Sequence, residues 1–150
     1  VTGAGAPMPR YVIPDIVKRR TVIAVSPDVS VRMASKLMSD HQIGAVVIME
    51  NDRLVSIFTE RDLAVRVVAK NLDPDITPVG DVATVHPDTL GPGAAPRDAL
   101  KLMRSGNYRH LPVLEEGRVV GMVSMRDLYQ TVMRNLEDDL ISVAHRLIRG

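Results

Sequence analysis

The sequence predicts an α+β fold built twice, each copy running strand, helix, strand, strand, helix. Three observations predict it. The chain repeats itself at a fixed interval of 65 residues. Apolar residues recur at helical spacing in each copy. Between those stretches lie short, near-continuous apolar runs of strand length. Fixed-period self-similarity decides the architecture before any local reading does.

The repeat holds without a gap over most of the chain. Pro27 falls on Pro92, Arg32 on Arg97, and Lys36-Leu37-Met38 on Lys101-Leu102-Met103. Arg53 falls on Arg118, and Arg61-Asp62-Leu63 on Arg126-Asp127-Leu128. Where the copies differ they keep chemical type, as at Thr59 and Ser124. Each copy alone is near the lower size limit for an independent core, so two copies sharing one core are expected.

Residues 1–15 form an N-terminal extension, rich in Gly, Ala and Pro over its first ten residues. Those ten are expected to be mobile unless a partner docks them. Residues 11–17 are apolar with Pro14 early, which predicts a short entry turn or helix. Lys18-Arg19-Arg20 is a basic run, weighed as a solvated loop two to one over a phosphate contact.

The first copy spans residues 16–70. Residues 21–25 are β-branched and closed by Ser26-Pro27-Asp28, which predicts a strand. Ser30 caps a helix reaching about Asp40, with Val31, Ala34, Leu37 and Met38 on one face. Residues 45–49 form an apolar run suited to a strand covered on both faces. Residues 50–53 carry turn chemistry and return the chain as a hairpin over residues 54–58. A second helix follows over residues 60–70, with Leu63, Val67 and Val68 inward.

Residues 71–80, with Pro74, Pro78 and Gly80, read as the linker. The second copy, residues 81–135, repeats the order. Its first strand, at Thr89-Leu90, is weaker. Pro96 opens a helix that Gly106 ends. Residues 110–114 and 119–123 form the hairpin, with Pro112 marking an edge or irregular strand. Residues 136–150 lie outside both copies and predict a further amphipathic helix. Its acids, Glu137 to Asp139, come first and its bases, Arg146 and Arg149, last, as the helix dipole favours. Its apolar stripe is weighed equally as a face packed on its own domain and as a dimer or partner contact.

Composition excludes several function classes. Net charge is +1 with both signs interspersed, and there are three Tyr, one Phe and no Trp. Single-stranded nucleic-acid binding usually asks for a basic groove with stacking aromatics, and both are scarce. The absence of Cys excludes disulfides, thiolate metal sites and Cys nucleophiles. His41, His86 and His145 lack metal-ligand spacing and read as loop or surface residues. No secretory pattern and no spanning apolar run appears. A soluble, cytoplasmic protein with no membrane contact is expected.

The order of elements, the paired Lys-Leu-Met helix ends, the run Tyr108-Arg109-His110-Leu111-Pro112-Val113 and the Gly-x-x-Ser-x-x-Asp ending at Gly121 together resemble the cystathionine β-synthase (CBS) domain. The chain resembles its tandem form, the Bateman module, over about residues 16–135. That resemblance implies a sandwich-like α/β arrangement. It implies two domains related by a pseudo-twofold axis, with sheets packed together and two clefts between them, often in a homodimer.

Thr59-x-x-Asp62 and Ser124-x-x-Asp127 stand where a strand enters a helix. Ser or Thr with an acid three residues on is a capping box, common and purely structural in about half of cases. The same chemistry suits a nucleotide. A helix N-terminus attracts anions, a hydroxyl donates to phosphate oxygen, and a carboxylate accepts from ribose hydroxyls. The resemblance implies that Thr59, Asp62, Ser124 and Asp127 hold phosphate and ribose. Arg109-His110 occupies the positions of Gly44-Ala45 in the first copy. A basic pair before a buried strand suits phosphate recognition, with a surface pair given one chance in three. Ile43, Gly44 and Ala45 offer a small apolar wall for adenine. Ser56 replaces the Gly121 of the second copy, which ranks the Ser124–Asp127 corner ahead.

The expected function is therefore a non-catalytic regulatory module binding an adenosine ligand. AMP stands first, with ADP, ATP, NAD and S-adenosylmethionine as further candidates. No obligatory cofactor, metal site or catalytic residue is expected. The expected partners are the nucleotide, a second copy in a homodimer, and an unspecified regulated protein. The alternative is a ligand-independent scaffold. An enzyme rates lowest, since neither a glycine-rich phosphate loop nor a carboxylate–His cluster is present.

Overall fold

The computed structural model describes residues 8–149; residues 1–7, most of the Gly/Ala/Pro-rich start, and residue 150 lie outside it. A π-helical turn, Val12–Ile16, opens the described chain. The first copy then runs β1 (Ala24–Val25), α1 (Val31–His41), β2 (Ala45–Glu50), β3 (Arg53–Thr59) and α2 (Glu60–Asp62). α2 continues as a π-helical stretch, Leu63–Val68. A 3-10 turn, Val79–Asp81, and β4 (Thr84–Val85) precede α3 (Pro96–Gly106). β5 (His110–Glu115), β6 (Arg118–Ser124) and α4 (Met125–Arg149) complete the second copy.

Local chemistry accounts for these boundaries. The Ser30 side chain accepts from the Met33 amide at 3.1 Å and starts α1, as the sequence predicts. Gln42 ends α1 and Asn107 ends α3, both in the left-handed conformation that commonly closes helices. The tight turns of both hairpins use left-handed residues, Asn51 and Asp52 in one, Glu116 and Gly117 in the other.

Two differences from expectation concern strands. The first strand of the second copy shrinks to one parallel bridge, Leu90 to Val113. Proline is the reason for the edge: Pro112 offers only its carbonyl, which accepts from the Leu90 amide at 3.0 Å. β4, in turn, stands out of register with any predicted strand. It pairs antiparallel with β3, giving the sheet order β1-β2-β3-β4, while β5 and β6 form a sheet of two. A third difference concerns the C-terminal segment. Nothing interrupts the helix at residue 135, and α4 runs unbroken for 25 residues.

The two copies exchange their leading segments. Val12 is fully buried in the core of the second copy with Leu111, Val113 and Met103, and its amide donates to the Ala94 carbonyl at 2.8 Å. Val79, Val82 and Ala83, which lead into the second copy, pack in the core of the first with Val46, Ile48 and Phe58. A third apolar cluster seals the seam, joining Ala45, Val47 and Ile57 of the first sheet to Met122 of the second.

Candidate functional site

The seam opens at one end into a cleft of about 860 Å³. Backbone pairing builds it. The Arg20 amide donates to the Val120 carbonyl at 3.1 Å, and the Val47 amide to the Ile23 carbonyl at 3.2 Å, so residues 20–23 cross from one sheet to the other. Both strand entries are tied to helix starts in the same way. The Glu60 amide donates to the Gly44 carbonyl at 3.1 Å, and the Met125 amide to the Arg109 carbonyl at 2.8 Å. The N-terminus of α4 thereby faces the cleft beside Arg109.

Seven of the residues singled out from the sequence line this cleft: Ser124, Asp127, Arg109, His110, Ile43, Gly44 and Ala45. At the α4 corner the Asp127 Oδ2 atom accepts from the Ser124 amide at 2.8 Å and the Ser124 hydroxyl at 2.9 Å. The Asp127 amide donates back to the Ser124 hydroxyl oxygen at 3.1 Å. The capping box is thus formed, yet all of it falls on one carboxylate oxygen. Oδ1 of Asp127 makes no hydrogen bond with the described residues, and the side chain is half-buried.

Thr59 and Asp62 are not among the residues lining the cleft. Asp62, only 6% exposed, receives bonds from the Thr59 amide (3.1 Å) and hydroxyl (3.2 Å). It also accepts from the Thr84 hydroxyl at 3.1 and 3.3 Å, and Arg66 pairs with it at 3.4 Å. Both of its oxygens are engaged from within the fold. Thr84 belongs to β4, the strand that the repeat did not predict. The contrast between Ser56 and Gly121, which ranked the corners in the sequence, has another cause: Gly121 faces Ile13 and Val17 of the entry segment.

Three contributors were not assigned to the cleft from the sequence, although the run holding Arg20 was given the lesser weight as a phosphate contact. Arg20 lines the cleft, whereas its neighbour Arg19 turns away to Glu115, with a second contact of 2.9 Å in that pair. His41, set aside as a surface residue, also lines it, as does Arg126. The signal for Arg20 was present in the basic run but not the alternation that sends Arg19 and Arg20 to opposite sides. Three arginines and two histidines therefore face two acids, Glu60 and Asp127.

His110 packs over the bare backbone of Gly44. Burial holds its imidazole below the ordinary value of 6.5, Glu60 and Asp127 pull it back up, and Arg109 adds to the lowering. The described residues contain no group of acids and histidines able to hold a metal ion. No helix among them is long and apolar enough to cross a membrane.

A duplicated α+β unit with its seam open at a helix N-terminus defines the class of protein. The chain belongs to the CBS domain family, whose model matches residues 15–69 and again residues 79–134. It is 33% identical to the CBS domain-containing protein YhcV of Bacillus subtilis over 114 residues, covering 76% of this chain and 81% of that one. Some matched relatives are longer, and the chain spans 59% of one and about a fifth of another. Among solved structures, the CBS domain NE2398 superposes with a TM-score of 0.73 at 32% identity, over 77% of this chain and 90% of that one. The CBS domain protein PAE2072 from Pyrobaculum aerophilum, complexed with AMP, superposes with a TM-score of 0.68 at 26% identity, over 79% and 96%.

Proposed function

We propose that this CBS domain pair is a non-catalytic regulatory module that binds an adenosine nucleotide, with AMP first among the candidates, in the cleft at the α4 N-terminus. One observation carries the reading: the cleft is lined by Asp127, one of whose carboxylate oxygens no described residue engages, together with cationic side chains and a small apolar wall. Ribose hydroxyls need an acceptor, phosphate needs donors and positive charge, and adenine needs a flat apolar surface. Asp127, the pair Arg20 and Arg109, and Ile43 to Ala45 meet those three needs in turn. The AMP carried by the related PAE2072 structure supports the same ligand class.

Regulation follows from differential affinity. A ligand held by both copies favours the arrangement in which they are closed, and it shifts the population by no more than that preference. The reading includes a homodimer and an output passed to a further protein. Titration calorimetry of ligand-stripped protein with AMP, ATP and NAD tests it, and mass spectrometry of the small molecule released on denaturation identifies the occupant. Saturable heat with a nucleotide supports the reading. No heat at millimolar concentration with any of the three removes it. The scaffold alternative draws on the completed caps at both corners. Partner capture unchanged by nucleotide and by Asp127→Ala would favour it.

A further inference from the structure

We infer that the second half of α4 is the dimer seam of this protein, pairing antiparallel with the same helix of a second copy. The inference rests on the homodimer reading above and locates its surface, independently of any nucleotide. From Leu136 to Arg149 every residue except Ser142 is exposed, and the family match ends at residue 134. The stretch continues a helix anchored on the domain at Leu128 and Thr131, yet it holds Leu136, Leu140 and Leu147 at 50–77% exposure. Helices in proteins draw most of their stability from packing an apolar face.

The apolar residues of this stretch follow a coiled-coil period. Met133, Leu136, Leu140, Val143 and Leu147 are spaced alternately by three and four, the a/d pattern of a heptad. All five are exposed, from 37% to 77%. Leu128 and Thr131, by contrast, are buried against the domain and lie on the other side of the helix. The seam therefore faces away from its own fold.

Charge selects the occupant and its direction. The acids Glu137, Asp138 and Asp139 precede the centre, and the bases Arg146 and Arg149 follow it. Two parallel copies would set acid against acid and base against base. An antiparallel pair centred near Ser142 sets Leu140 against Val143 and Leu136 against Leu147. It also sets Asp139, at a flanking g position, beside Arg146 of the second copy. Opposite charges at flanking positions set partner choice and direction in such seams.

Sedimentation equilibrium of the full chain tests the inference. The expected mass is twice the 16.4 kDa of one chain, falling to one chain in Leu140→Lys, a site 69% exposed whose change leaves the fold intact. Asp139→Arg weakens the pair, and Asp139→Arg with Arg146→Asp restores it. The chain has no Cys. On oxidation, Leu140→Cys combined with Val143→Cys cross-links two copies, since these positions face each other across the pair. Leu136→Cys alone does not, because the two sites stand about 16 Å apart along an antiparallel pair. A single-chain mass for the unaltered protein, with or without another protein bound to α4, overturns both the homodimer reading and this inference. A dimer that survives Leu140→Lys, or a cross-link through Leu136→Cys, overturns the seam alone.

Discussion

A Cβ atom placed on Gly44 would stand 3.0 Å from Nε2 of His110. The two residues belong to different copies. Each sits at the start of a buried strand, and the imidazole of one copy occupies the room that the other leaves by having no side chain.

Gly44→Val should displace that imidazole. Its own backbone is not in the left-handed region, so the cost is steric. Because the obstacle is the tip of a half-buried side chain, stability should fall by only about 1 kcal/mol, the low end of overpacking costs. Nucleotide affinity should fall further, by roughly tenfold or more, about 1.4 kcal/mol. Denaturant unfolding and calorimetric titration of the same variant separate the two effects. Unchanged affinity would show that the His110 position does not matter to binding.

Acid should weaken the fold through His110. Its imidazole is held below 6.5 in the folded chain, chiefly by burial. The unfolded chain then takes up the proton first as pH falls. Stability is retained above about 6.5 and lost progressively below it, down to the folded value. Unfolding midpoints between pH 7.5 and 5.5 should fall in the parent, and the fall should be smaller in His110→Gln. Equal slopes in the two proteins would assign the pH dependence to other groups.

Asp62→Ala and Asp127→Ala should differ in kind. Asp62 is buried and takes bonds from the Thr59 backbone, two hydroxyls and Arg66. Its loss should cost about 1.5–3 kcal/mol of stability, the range for hydrogen bonds to a charged group, and leave nucleotide affinity unchanged. Asp127→Ala should cost about 1 kcal/mol of stability as a lost cap. It should also weaken nucleotide binding by about 1.5–3 kcal/mol. The opposite pattern would move the ligand to the first corner.

Arg20→Ala should discriminate between parts of the ligand. If Arg20 meets phosphate, affinity for AMP should drop by about 1.5–3 kcal/mol while affinity for adenosine barely changes. Parallel titrations with both compounds measure the difference. Equal losses would place Arg20 beside the base or sugar.

Most of the architecture was legible because duplication writes each element twice. Ser30, Pro96 and the left-handed turns carry local signals, and the structure uses them. What was not legible came from pairing between the copies. β4 is only two residues long, too short to read as a strand, and the edge of β3 accepts Thr84 and Val85. The same cause hid part of the fate of Asp62: its box matches that of Asp127 in sequence, and the partners that tell them apart are Arg66, where the second copy has Thr131, and Thr84, 22 residues further on. Arg20 received the lesser weight as a phosphate contact and His41 was set aside for a related reason, since a cleft between copies gathers residues from segments with no common motif.

The exchange of leading segments has a consequence for the history of the chain. A single unduplicated unit would have an unfilled interior where Val12 or Val79 now sits, and only a twin could lend the missing piece. The fused polypeptide preserves, inside one molecule, a reciprocal loan between two. Severing the connection between residues 70 and 79 should therefore yield fragments that fold together or not at all.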